Sequence, residues 1–174
     1  MKKSLLIGLL IMALLPVANF AQTKKRTATR TRPRTITSAA QKAAAVVHQG
    51  ATNVADQIKT LTLFIYLLGG VAKGIEQADV AIKRKEASPA VLDGTEKSKA
   101  TVRLSIRNVR ARLDKLEVDF RLTPELEPYY LKLAGVANKA ATAEDQAAAS
   151  QFDQAGRTLL GVVSQLTDVL LEMQ

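Results

Sequence analysis

The chain has 174 residues, 47% of them hydrophobic and 4% aromatic, with no Cys and no Trp. That length holds one ordinary domain. The missing Cys excludes disulfides, a thiolate nucleophile, a zinc ribbon, an iron–sulfur cluster and a Cys-x-x-Cys-His haem attachment, and the Ala-rich, aromatic-poor mixture suits close-packed helices rather than a β-sandwich. The formal charge of +9 suggests a polyanion binder only until it is divided along the chain. Setting aside Lys2, Lys3 and the cations between Thr23 and Thr35 leaves 17 of the 25 basic residues against all 16 acidic ones, a net of +1 for residues 38–174.

Residues 1–21 read as a signal peptide: Met1-Lys2-Lys3 is a positive start, Leu5 to Leu15 is unbroken apolar sequence, Pro16 ends it, and Ala18-Asn19-Phe20-Ala21 places a small residue before Gln22. Cleavage between Ala21 and Gln22 predicts a periplasmic or secreted protein. Asn19 is unusual three positions before a cut, and Lys24-Lys25-Arg26 lies on the side that must cross the membrane. The alternative is therefore an uncleaved inner-membrane anchor. No Cys is present to carry a lipid.

Residues 22–37 form a basic arm in which Lys24, Lys25, Arg26, Arg30, Arg32 and Arg34 alternate with Thr and meet no acid. Such a segment cannot repay its ordering entropy and is expected to be disordered. Its charge points to an anionic partner (lipid headgroups, an acidic polysaccharide or nucleic acid) against the blander alternative of a solvated linker.

Residues 38–174 are expected to be all-α. Ser38-Ala39-Ala40-Gln41 has the form of a capping box, and a first helix follows with its apolar stripe at Val47, Ala51, Val54, Ile58, Leu61, Ile65, Leu68, Ala72 and Ile75. The register passes through Gly69-Gly70, where a kink is expected rather than a loop. Ser88-Pro89 and Asp93-Gly94 predict a turn. A second helix is expected over about Thr95 to Arg121, with Val102, Ile106, Val109, Leu113, Leu116 and Phe120 inward. Thr123-Pro124 predicts the cap and first turn of a third helix, striped by Leu126, Tyr130, Leu133, Ala137 and Ala140. A fourth is expected from about Ala143 to Met173, with Ala148, Phe152, Ala155, Leu159, Val162, Leu166, Val169 and Met173 inward. These seams predict an antiparallel, up-down four-helix bundle with coiled-coil-like packing and a long, kinked first helix. Residues 83–121 hold 11 cations and 6 acids and residues 122–174 hold 3 and 7, so those regions are expected to pack side by side.

No arrangement carries recognisable chemistry. His48 is the only histidine, and neither Glu-x-x-His nor His-Glu-x-x-His occurs, so no metal site, cofactor or catalytic residue is assigned. The basic flank of the second helix (Lys97, Lys99, Arg103, Arg107, Arg110, Arg112, Lys115) is expected to be neutralised internally. Glu125, Glu127, Glu144 and Asp145 are expected to serve helix-end electrostatics. Tyr129-Tyr130 is expected at the edge of the core.

The segment Leu61 to Ala72 is apolar on every side, and Gly70-x-x-x-Gly74 at its end is a small-residue spacing found between membrane helices. Being shorter than the ~20 residues a span needs, it is expected to be a fully buried core helix. If Leu63, Phe64 and Leu67 were exposed they would instead make a partner patch, for another protein or for self-association. The functional expectation is a non-enzymatic exported scaffold, or a binder of an anionic envelope surface through its arm. Carriage of a small apolar ligand within the bundle is the alternative.

Overall fold

The computed structural model describes residues 38–174, and in that region every element is helical. The expected signal segment with its Ala21–Gln22 junction, and the expected arm from Lys24 to Arg34, lie outside the described residues. Five helices follow one another: α1 (Ser38–Lys83), α2 (Pro89–Leu122), α3 (Glu127–Leu133), α4 (Val136–Ala148) and α5 (Phe152–Glu172). Four of them, α1, α2, α4 and α5, pack round a shared core in the order α1–α2–α4–α5, with short α3 bridging α2 and α5.

Neighbouring helices run antiparallel, as paired contacts along three of the four seams show. Met173 lies against Gly50 while Leu68 lies against Gly156, which reverses α5 on α1. Gln146 pairs with Thr158 and Lys139 with Gln165, which reverses α5 on α4. Glu117 meets Ala137 and Arg103 meets Ala147, which reverses α4 on α2.

The seams hold the residues that the three- and four-residue spacing selects. Val54, Leu61, Leu68 and Ile75 of α1, Ile106, Leu113 and Phe120 of α2, and Leu159, Val162, Leu166 and Val169 of α5 are all buried. The inward face of α4 is Ala137, Ala140, Ala143 and Ala147, side chains small enough to let α2 and α5 approach closely. Tyr129 and Tyr130 pack half-buried against this core.

Four boundaries differ from expectation. Ser88-Pro89 is the start of α2: the Ser88 hydroxyl accepts from the Val91 N–H and Pro89 occupies the first turn. Asp93-Gly94 therefore lies inside the helix. The expected third helix is broken in two by Gly135, which takes φ +91°, a conformation open to Gly but strained for other residues. Thr123 caps the end of α2 rather than a new helix, and its carbonyl accepts from Leu126 and Glu127. The expected fourth helix is also divided: Ala143 and Ala147 face the core from α4, the chain turns at Ser150 with φ +60°, and α5 begins at Phe152. Ala148, expected inward, is exposed.

With 46 residues, α1 is about 69 Å long at 1.5 Å per residue, more than twice the length of the 21-residue α5. It stays helical through Gly69-Gly70. Its first turns, and its last turns with the start of α2, extend beyond the ends of α5.

Candidate functional site

The segment Leu61 to Ala72 is not the buried core helix that its composition suggests. Leu61, Leu68 and Ala72 face inward, but Leu63 is 66% exposed, Tyr66 80%, Leu67 63% and Val71 41%. Phe64 is half-buried against the core. The reason is the architecture: α1 sits on the rim of a four-membered ring, so one stripe meets the core and no further helix among the described residues covers the other side. Of the anticipated patch, Leu63 and Leu67 are on the surface and Phe64 lies at its border. Tyr66 and Val71 belong to it as well, and sequence reasoning missed them because it assigned the whole segment to the interior.

Leu63, Leu67, Gly70, Val71 and Gly74 recur at the intervals that place residues on one helix face. A Cβ at Gly70 or Gly74 would meet nothing within 4 Å, so the small residues leave open notches rather than close helix contacts. From Thr60 to Ala72 there is no Asp, Glu, Lys, Arg or His. Where the face turns toward α2 it opens into a groove of about 370 Å³, walled by Phe64, Leu67 and Val71 on one side and by Ser98, Thr101 and Ser105 on the other.

The serine and threonine hydroxyls around this surface are internally occupied. Thr60 donates to the Asp56 carbonyl and Thr62 to that of Ile58, at 2.8 Å each. Ser98, Thr101 and Ser105 donate to Gly94, Lys97 and Thr101 at 2.9 Å each. Burying such groups leaves no donor stranded, so the surface desolvates at little cost.

No family model, curated protein or solved structure matches this chain. The functional reading rests on geometry and sequence alone.

The basic flank of α2 is largely absorbed by neighbouring acids. Arg107 and Arg110 both bind Glu144 of α4, at 2.9 and 3.2 Å. Lys115 pairs with Asp119 and Lys97 with Asp93. Lys99, nearly buried, holds Asp79 of α1 at 2.8 Å and Glu96 at 3.2 Å. The hydrogen bond to Asp79 raises the Lys99 pKa above its ordinary value, with burial opposing and Glu96 adding to the rise. The Arg107 hydrogen bond, opposed by burial and reinforced by Arg110, lowers that of Glu144.

Glu144 thus differs from the helix-end role expected for it: it sits within α4 and joins α4 to α2. Glu117 accepts the Ala137 N–H at 2.8 Å and so supplies the N-terminal cap that Gly135 cannot. Arg103 donates to the Ala147 carbonyl at the other end. Lys132 pairs with Glu172. His48 lies exposed on α1. Among the described residues, no three His, Asp or Glu side chains gather in a way that could hold a metal ion.

A second recess, about 420 Å³, lies where α5 begins, bordered by Glu76, Asp79, Lys83 and Asp153. Its charged groups come from mixed signs and open to solvent. By length and composition α1 also qualifies as a helix able to cross a membrane, with 22% of its most apolar window buried.

Proposed function

We propose that this chain is an exported, non-enzymatic binding protein in which a helical bundle presents the outer face of α1 to another molecule while the basic arm holds an anionic surface. The observation that carries this reading is the exposure of Leu63, Tyr66, Leu67 and Val71 on an uncharged stretch of α1. Contiguous exposed apolar surface mark interaction sites in soluble proteins. The near-neutrality of residues 38–174 supports the arm as the second contact, since Lys24, Lys25, Arg26, Arg30, Arg32 and Arg34 carry most of the chain's excess positive charge.

Two measurements test it. Retention on heparin or anionic vesicles falls as salt rises and disappears when residues 22–36 are deleted; retention unchanged by that deletion removes the arm from the function. The N-terminus of protein recovered from cells is Gln22, and an intact Met1 would replace export with anchoring.

A second reading, carriage of a small apolar ligand, is favoured by the groove between α1 and α2. It requires one apolar compound to co-purify in molar proportion, which mass spectrometry of a solvent extract detects. An extract free of such a compound dismisses it.

A further inference from the structure

We infer that the partner of the α1 face is a lipid bilayer: the face seats among the headgroups and upper acyl chains of an anionic membrane, with the basic arm supplying the electrostatic half of the attachment. The inference rests on the binding role proposed above and names its partner.

Three properties of the surface fit a bilayer boundary. First, apolar side chains line one face of a helix that would lie flat, and the uncharged run from Thr60 to Ala72 means that no ion is carried into the apolar layer. Second, the hydroxyls of Thr60, Thr62, Ser98, Thr101 and Ser105 already donate within their own helices, so none is stranded on leaving water. Third, Lys59, Tyr66 and Lys73 follow at seven-residue intervals along one edge of the face. Lys and Tyr at such an edge keep their polar ends at headgroup level while their apolar parts enter the boundary.

The charge pattern favours an anionic membrane over a protein groove. Lys59 and Lys73 rim the face on α1 and Lys97 rims the groove on α2. The pairs Lys59–Asp56 and Lys97–Asp93 are highly exposed and compete weakly with a lipid phosphate. The arm adds Lys24 to Arg34. Apolar insertion combined with a polybasic segment is the two-signal arrangement that holds peripheral proteins durably.

Crossing the membrane is a different matter. The opposite stripe of α1, Leu61, Leu68, Ala72 and Ile75, is buried in the bundle and would have to leave it. The helix therefore lies on the bilayer.

The absence of Cys allows a direct test. Leu67→Cys, in protein carrying the N-terminus it has after export, is labelled with an environment-sensitive fluorophore and mixed with vesicles of phosphatidylglycerol and phosphatidylcholine; Leu131→Cys on α3, 82% exposed, is the control. The label at 67 shifts to the blue and is quenched by lipids brominated on the acyl chain, while the label at 131 does neither. Leu63→Ser combined with Tyr66→Ser weakens vesicle binding at least tenfold with an unchanged thermal melt, because both side chains are exposed. Salt-sensitive binding without a shift at 67 overturns the inference and leaves the arm's role standing. A shift that needs no lipid and accompanies a doubling of mass also overturns it, making the face a contact between copies. Failure to bind either vesicles or heparin removes this inference and the proposed function together.

Discussion

Glu144 shows how much one carboxylate can organise. It is mostly shielded from solvent, accepts from two arginines of α2 and sits in the interior of α4. Its pKa is lowered, so it contributes stability that is present above the ordinary Glu range and is lost as pH falls through the lowered folded value. Lys99 works in the opposite sense: with its pKa raised, its contribution is complete below the ordinary lysine value and is lost only as pH rises through the higher folded one. Glu144→Gln is expected to cost about 1 kcal/mol at neutral pH, given the exposure of both arginines. Urea titrations at successive pH values should also show a flatter acid limb than the wild type; an unaltered limb would assign the acid sensitivity to other carboxylates. In the sequence Glu144 was legible as one of four acids expected at helix ends, within an acidic C-terminal third facing a basic middle. That imbalance foretold the pairing of regions but not which acid would be central, because the answer depends on where Gly135 breaks the chain.

Among elements, α4 is the clearest product of its surroundings. Thirteen residues are too few for a stable isolated helix, and its Ala face adds little apolar area. It is held from α2 by Glu117 at its first turn, by Arg107 and Arg110 on Glu144 in its middle and by Arg103 at its end. Glu117→Ala is expected to cost about 1–2 kcal/mol, the range for loss of a helix cap, and to speed amide exchange in α4 more than in α5. Equal acceleration in both helices would mean that they open as one unit. Heptad-like spacing made the seams of α1, α2 and α5 legible, since an inward stripe is a property of each helix alone. The breaks at Gly135 and Ser150 were hidden because Ala-rich sequence keeps a plausible helical period across a turn. The glycines of α1 also differ in ways that spacing cannot show. A Cβ at Gly50 would lie 2.6 Å from Leu126 Cδ2, whereas one at Gly69 or Gly70 meets open space. Gly69→Ala and Gly70→Ala should each stabilise the protein by about 1 kcal/mol through helix propensity, and chemical denaturation should show Gly50→Ala gaining less than either.

At the scale of the whole molecule, the apolar residues of the bundle fall into two groups, buried and exposed. Phe120 and Leu113 are wholly buried, and truncating either to Ala should cost about 3–5 kcal/mol. Leu63 and Leu67 are as apolar as those two but lie mostly in water, so their removal should leave the folded state nearly unchanged. Sequence alone could not separate the two groups: every face of the segment from Leu61 to Ala72 is apolar, and only the number of helices available to cover α1 decides which faces stay wet. The division supplies a sharp expectation. Phe120→Ala should lower the melting temperature markedly and weaken surface binding only as far as it depopulates the fold, whereas Leu63→Ser with Leu67→Ser should leave the melting temperature within about 2 °C, consistent with the small effects of exposed substitutions. Binding per folded molecule, measured by vesicle flotation at a temperature where both variants are folded, should then be near the wild-type level for Phe120→Ala and sharply reduced for the double variant. If the double variant instead melts well below the wild type, those leucines are covered in solution by a second copy or by another part of the chain, and the face belongs to the architecture rather than to a binding surface.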